Sequence, residues 1–157
     1  MSSVEPSQPT PLSQGLAKLE ALPEGFAEKM RRQVEPGDVI GERYCVVRPI
    51  GHGAMGKVFL AENQAIGLRV AVKLLKPELL ANPDFRLRFK HEAEAVAAIQ
   101  HPNVAHFLDL IVGDPTFLVM EYVDGPTLHR VIHREGKLAP RRVADIAVRL
   151  ALGLHSA

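Results

Sequence analysis

Long apolar runs are missing from this chain, and so are cysteine pairs and an excess of charge of either sign. No uncharged apolar stretch approaches the about 18 residues that a membrane-crossing helix needs. The first residues, Met1 to Gln14, carry Pro6, Pro9 and Pro11 among serines and glutamines and lack the apolar centre of a secretory signal. Cys45, the one cysteine, can form no internal disulfide; lying in an apolar run, it reads as a small buried hydrophobe in a reducing compartment. Lys and Arg number 19 against 18 Asp and Glu, and a net charge of +1 gives no electrostatic ground for a nucleic-acid or anionic-membrane partner. A cytoplasmic location is therefore expected. No set of His, Cys, Asp and Glu has the spacing of a metal site.

Glycine, by contrast, is concentrated where it can act. Ile50-Gly51-His52-Gly53-Ala54-Met55-Gly56-Lys57-Val58 sets three glycines at the spacing G-x-G-x-x-G. Without a Cβ, such residues let backbone N–H groups lie against phosphate oxygens. Dinucleotide-binding folds share the spacing, but they need a helix to open at the third glycine, with the pyrophosphate at its N-terminus. Here the next residues alternate as a strand, Val58 and Leu60 on one face and Phe59 and Ala61 on the other. A reversal between Glu62 and Gly67 leads into a second alternating run, Leu68 to Leu75. In it Val70, Val72 and Leu74 share one face, while Ala71 and Lys73 share the face turned to the glycine loop. The alanine leaves room for a flat base, and the ammonium can reach phosphates. A first strand over Arg43 to Ile50, with Pro49 near its end, gives the antiparallel order strand, glycine loop, strand, turn, strand.

Gly51 to Val58 together with Val70-Ala71-Val72-Lys73 resembles the amino-terminal lobe of protein kinases, in the form found in the bacterial serine/threonine (eukaryotic-like, Hanks-type) branch. The resemblance runs from Asp38 to Ala157 and is specific through Asp124. It implies an α+β fold in which a five-stranded antiparallel sheet and one long helix are followed by a hinge and the first helices of a second lobe. Residues 1–37 are then a leader, 38–123 the lobe, and 124–157 the exit from the hinge. The long helix is expected over Pro83 to Ile99, capped at Asn82, with Phe85, Phe89, Val96 and Ile99 as its apolar stripe. Glu92 stands on that face where an apolar residue is expected, and a buried carboxylate needs a cation. The resemblance pairs it with Lys73, as the ion pair that positions the phosphates of ATP.

Two more strands, Val104 to Val112 and Thr116 to Tyr122, are expected to meet at Gly113-Asp114-Pro115. Met120-Glu121-Tyr122-Val123 resembles the kinase hinge: Met120 walls the adenine, and the Glu121 carbonyl and the Val123 backbone hydrogen-bond its edge. ATP is the implied cofactor, held by Ile50 to Val58, Ala71, Lys73 and Met120 to Val123, with Mg²⁺ expected only in a complete kinase. His52 reads as an exposed loop residue and His101 as a turn histidine bonded to backbone. Asp109, Asp114 and Asp145 read as turn or surface carboxylates. Thr127 is positioned to cap a short helix that Gly136 ends, and Pro140 opens another with the stripe Val143, Ile146, Ala147, Leu150 and Leu154.

Within the leader, Met1 to Gln14 has the composition of a disordered segment. Leu12, Leu16 and Leu19, then Phe26, Met30 and Val34, recur at helical spacing and predict two short amphipathic helices that pack on the lobe or dock a partner. The kinase strings His-Arg-Asp and Asp-Phe-Gly, which carry the catalytic Asp and the metal carboxylate, occur nowhere in the chain. At 157 residues it is also too short for both kinase lobes. Two readings follow: the ATP-binding portion of a serine/threonine kinase, inactive by itself, or a non-catalytic nucleotide-binding or interaction module of pseudokinase type. An apolar stripe running through Leu150 and Leu154 to the end favours the first, since a stand-alone module should not leave such a face open. Substrate and oligomeric state are not legible.

Overall fold

The alternation of apolar side chains that marks each strand is used on both sides of a single sheet. In the computed structural model, which describes residues 9–30 and 32–156, the strands are β1 (Val39–Ile40), β2 (Tyr44–Gly53), β3 (Gly56–Asn63), β4 (Leu68–Leu74), β5 (Phe107–Ile111) and β6 (Phe117–Glu121). All neighbours pair antiparallel, in the order β1-β2-β3-β4-β6-β5. Five of these correspond to the expected strands; β1, two residues at the edge, is too short to show any periodicity in sequence.

Register sorts the side chains into two cores. One row runs Leu60, Ala71, Met120, Phe107 across the sheet and the next runs Val58, Lys73, Leu118, Leu110, so both lie on one face. Phe59, Val72 and Val119 align on the other, with Val46, Ala61, Val70 and Phe117 in the same buried cluster. The first face is covered by α1 (Pro11–Glu20), α2 (Pro77–Leu80) and α3 (Pro83–Ala98), which add Leu12, Leu16, Leu19, Leu80, Phe89 and Ala93 to its cluster. α3 starts where Asn82 caps it, its side chain accepting from the N–H groups of Asp84 (2.9 Å) and Phe85 (3.3 Å).

The leader is therefore part of the lobe's packing. The disordered reading of residues 1–8 lies outside the described residues, but Pro11 to Gln14 form the first turn of α1, with Thr10 accepting from the Ser13 N–H at 3.2 Å. Gly15 is buried in this helix, where a glycine costs about 1 kcal/mol against alanine. Its packing explains it: a Cβ there would stand 2.0 Å from the Leu110 carbonyl oxygen, so α1 lies backbone to backbone on β5. The second expected helix, over Phe26 to Val34, is replaced by a single 3-10 turn, Ala27–Lys29. Met30 and Val34 belong to the clusters on opposite faces of the sheet, and the chain extends from Met30 instead of coiling. Cys45 is half-buried, not fully enclosed, because β2 runs near the edge of the sheet.

Asp109 departs most from its expected surface role. It is buried on β5, where its carboxylate pairs with the Arg43 guanidinium and accepts the Leu110 N–H at 2.8 Å. Asp114, in the β5–β6 turn, accepts the Arg32 N–H, and Asp145 is exposed. Beyond the sheet, α4 (Leu128–Glu135) is capped by Thr127 and ended by Gly136, and α5 (Pro140–His155) begins at its proline. α5 is tied to the loop after α3 by the Asn103 amide, which donates to the Arg149 carbonyl at 3.0 Å, and by Gly153 lying against Val104. Val143, Leu150 and Leu154 on α5 face solvent. Among the described residues no helix is long and apolar enough to cross a membrane.

Candidate functional site

β2 and β3 stay paired down to Gly53 and Gly56 and turn at a tight two-residue corner, Ala54-Met55, so that the glycine stretch forms a hairpin flap. Gly51 and Gly53 have open space where a Cβ would stand, whereas at Gly56 a Cβ would fall 1.8 Å from the Leu74 carbonyl oxygen. Gly56, the first residue after the turn, thus lets the flap's tip press on β4, and Gly51 and Gly53 leave their backbone uncovered. His52 and Lys57 are exposed on the flap. Its tip folds over the sheet: Lys76 N–H donates to the Met55 carbonyl at 3.1 Å. A cavity of about 620 Å3 lies between the flap, Met30, Arg32 and Val34, behind the flap and away from Ala71 and the hinge.

On the sheet below, Lys73 stands in the row with Val58 and Leu118, and Ala71 in the row with Leu60 and Met120. The Lys73 ammonium meets the Met55 thioether at 3.2 Å. Sulfur is a weak acceptor, so a charged oxygen at the same place would be a far stronger partner. The ion pair between Lys73 and Glu92 that the kinase resemblance implies is not formed in this structure. Glu92 is exposed on α3, whose buried positions are Phe89 and Ala93, with Phe85 stacked on Phe89 at 5.9 Å between ring centroids. A carboxylate on the flank of that ridge takes water as its partner in preference to a buried cation.

The hinge stretch leaves β6 at Glu121. Its N–H donates to the His106 carbonyl at 2.9 Å, and its carboxylate accepts from the His106 N–H at 3.2 Å and meets Nδ1 at 3.0 Å. These bonds hold the Glu121 carboxyl below its ordinary 4.5. Tyr122 donates its hydroxyl to Asp124 at 3.2 Å. Val123 is exposed and makes no hydrogen bond among the described residues, so its backbone groups stand open at the rim of the cleft. His101 accepts the Asn103 N–H at 3.1 Å and is a turn residue, remote from the flap.

Two contacts at this site are not legible in the sequence, that of Met55 with Lys73 and that of His106 with Glu121. Met55 was one of three loop residues between glycines, and nothing in its type marks it as the partner of Lys73. His106 lies outside every motif, and the strand pairing that brings it to Glu121 is visible only in three dimensions. The residues present fit a nucleoside triphosphate: a small Ala71 under the base position, an open peptide at Val123, bare glycine backbone and a weakly engaged ammonium. Among the described residues no three His, Cys, Asp or Glu side chains gather as a metal site.

Comparison with known proteins gives a consistent result. Residues 44–156 match the family described as protein kinase domain. The chain is 39% identical over 117 residues to the serine/threonine-protein kinase pkn2 of Myxococcus xanthus, an alignment covering 74% of this chain and 14% of that protein. It is 38% identical over 112 residues to the serine/threonine-protein kinase PknB of Mycolicibacterium smegmatis, covering 68% of this chain and 18% of PknB. Among solved structures, the PknI kinase domain of Mycobacterium tuberculosis superposes with a TM-score of 0.65 at 29% identity, over 80% of this chain and 52% of that one. The chain thus spans less than a fifth of those two curated relatives and about half of a solved kinase domain.

Proposed function

Because the chain belongs to the protein kinase family, matching its domain over residues 44–156, we propose that it is the ATP-binding portion of a serine/threonine kinase. The observation that carries this reading is the juxtaposition of the glycine flap and Lys73, with the ammonium engaged by nothing stronger than the Met55 sulfur. ATP enters between the flap and the sheet. Its base lies over Ala71 against Met120, donates its amino group to the Glu121 carbonyl and hydrogen-bonds the Val123 backbone. Its phosphates meet the open backbone at Gly51 and Gly53, and Lys73 turns from Met55 to their oxygens. Bound ATP supplies the phosphoryl group; the residues of this chain bind and orient it. Mg²⁺ finds no carboxylate cluster among the described residues, and no step is assigned to it.

Transfer to a protein hydroxyl further requires a carboxylate to orient and deprotonate that hydroxyl. Neither His-Arg-Asp nor Asp-Phe-Gly occurs in the sequence, so the 157-residue chain by itself binds nucleotide without transferring phosphate. The reaction of the complete protein is phosphoryl transfer from ATP to a Ser or Thr hydroxyl, in keeping with the serine/threonine kinases it resembles. The open face of α5 at Val143, Leu150 and Leu154 favours this over a self-contained binding module, since apolar surface of that kind is normally covered.

Calorimetric titration tests the reading. The chain binds ATP with a dissociation constant weaker than micromolar, because half of the cleft wall is absent. Lys73→Met weakens it by about tenfold or more, the loss of one charge-assisted contact to phosphate. An unchanged affinity in Lys73→Met removes the lysine from the site, and phosphate transfer by the purified parent chain would refute the assignment of catalysis to other residues.

A further inference from the structure

The leader helix does more than cover apolar surface. α3 packs on α1 and α2 and meets the sheet only along β5, where α1 also lies. α1 occupies that place through Gly15, which rests on the Leu110 backbone, and through Leu12, Leu16 and Leu19, which join Phe89 and Ala93 of α3 in one cluster. A second grip is polar: the Lys90 ammonium on α3 is bonded to the Glu20 carboxylate at the end of α1.

Helix geometry turns these contacts into an orientation. Successive residues rotate by about 100°, so Lys90 and Glu92 project about 160° apart on nearly opposite flanks of α3. Whatever draws the Lys90 flank toward α1 turns the Glu92 flank away. Glu92 is accordingly exposed, and Lys73 is left with Met55. We propose that α1 is an intramolecular wedge that holds α3 rolled away from the sheet, keeping Glu92 from Lys73, and that loosening α1 lets the two side chains meet. In this account the leader sets the nucleotide affinity of the lobe from outside the cleft. A ligand's apparent affinity scales with the fraction of molecules in the competent arrangement, so even a small population shift is readable.

Lys90→Glu places two carboxylates against each other at the grip without disturbing any buried residue, and Glu20→Lys in the same chain restores an opposite pair. The direct readout is zero-length carbodiimide coupling of Lys73 to Glu92, measured by mass spectrometry in the full 157-residue chain without nucleotide. Coupling is expected to rise about three- to ten-fold in Lys90→Glu and to return to the parent level in the double variant, the range set by a surface pair turned from attraction to repulsion. ATP affinity is expected to tighten by a similar factor and revert likewise. Gly15→Leu, which cannot rest on Leu110, should raise coupling further if the chain remains folded by circular dichroism. Coupling that is the same in the parent, Lys90→Glu and the double variant overturns the proposal, whether or not Gly15→Leu folds. The second readout rests on the proposed nucleotide site and the first does not. Coupling that responds while no variant binds ATP would therefore sink the nucleotide reading and leave the wedge standing.

Discussion

Replacing Arg43 with alanine lowers the stability of the chain by about 3 kcal/mol, the lower end of what removal of one partner from a buried ion pair costs. The reason is asymmetric burial. The Asp109 side chain is 5% exposed and that of Arg43 is 43% exposed, so the carboxylate depends on the guanidinium while the guanidinium can fall back on water. Without Arg43 the carboxylate keeps the Leu110 N–H at 2.8 Å but has no counter-charge. Asp109→Leu should be the milder change, about 1–2 kcal/mol, since it removes the buried charge and leaves Arg43 to solvent over the Tyr44 ring, 5.2 Å away. Urea unfolding of the two variants decides the matter by the difference in midpoint at constant slope. Equal costs, or a larger cost for Asp109→Leu, would contradict the burial assigned to this carboxylate.

Leu19→Ala is the second large effect, a loss of about 2–5 kcal/mol from the removed side-chain contacts and the cavity left behind. Leu19 is fully buried although it lies 19 residues before Asp38, the first residue of the region that resembles a kinase lobe. Its counterpart is Leu87 on the outer side of α3, 46% exposed, where the same substitution should change stability by no more than about 0.5 kcal/mol. Both can be followed by thermal or urea unfolding. If Leu19→Ala behaves like Leu87→Ala, α1 does not belong to the core, and the wedge loses its footing with it.

Local chemistry explains why so much of the fold could be read from the chain. Glycines at Gly51, Gly53 and Gly56 followed by alternating Val58 to Ala61 define the flap and its strand without help from elsewhere, and Asn82-Pro83 announces α3. Failures came where partners distant in sequence decide. Asp109 looks like any polar residue in a strand until Arg43, 66 positions earlier, is brought beside it. Phe26, Met30 and Val34 have helical spacing, yet the two faces of the sheet compete for Met30 and Val34, and tertiary burial overrides the period. Glu92 was placed inward from the spacing of its neighbours. The structure buries Phe89 and Ala93 instead, because α1 supplies the surface against which α3 packs.

The site shows the same division. Lys73, Ala71 and the glycines lie where their own strands put them, and register alone aligns Ala71 with Met120. What the sequence could not convey is which side chains meet: Met55 folded onto Lys73, and Glu121 held by His106. Both follow from side chains that become neighbours only after the sheet has formed.

The central claim is that a triphosphate sits between the flap and Lys73 with its base at the hinge, and backbone amide NMR during an ATP titration reads that placement residue by residue. The account predicts shifts concentrated at Gly51, Gly53, Gly56 and Val123, with adenosine alone moving Val123 but not the glycines. Saturable shifts confined to the cavity behind the flap, around Arg32 and Val34, or glycine amides that stay in place as ATP binds, would contradict it.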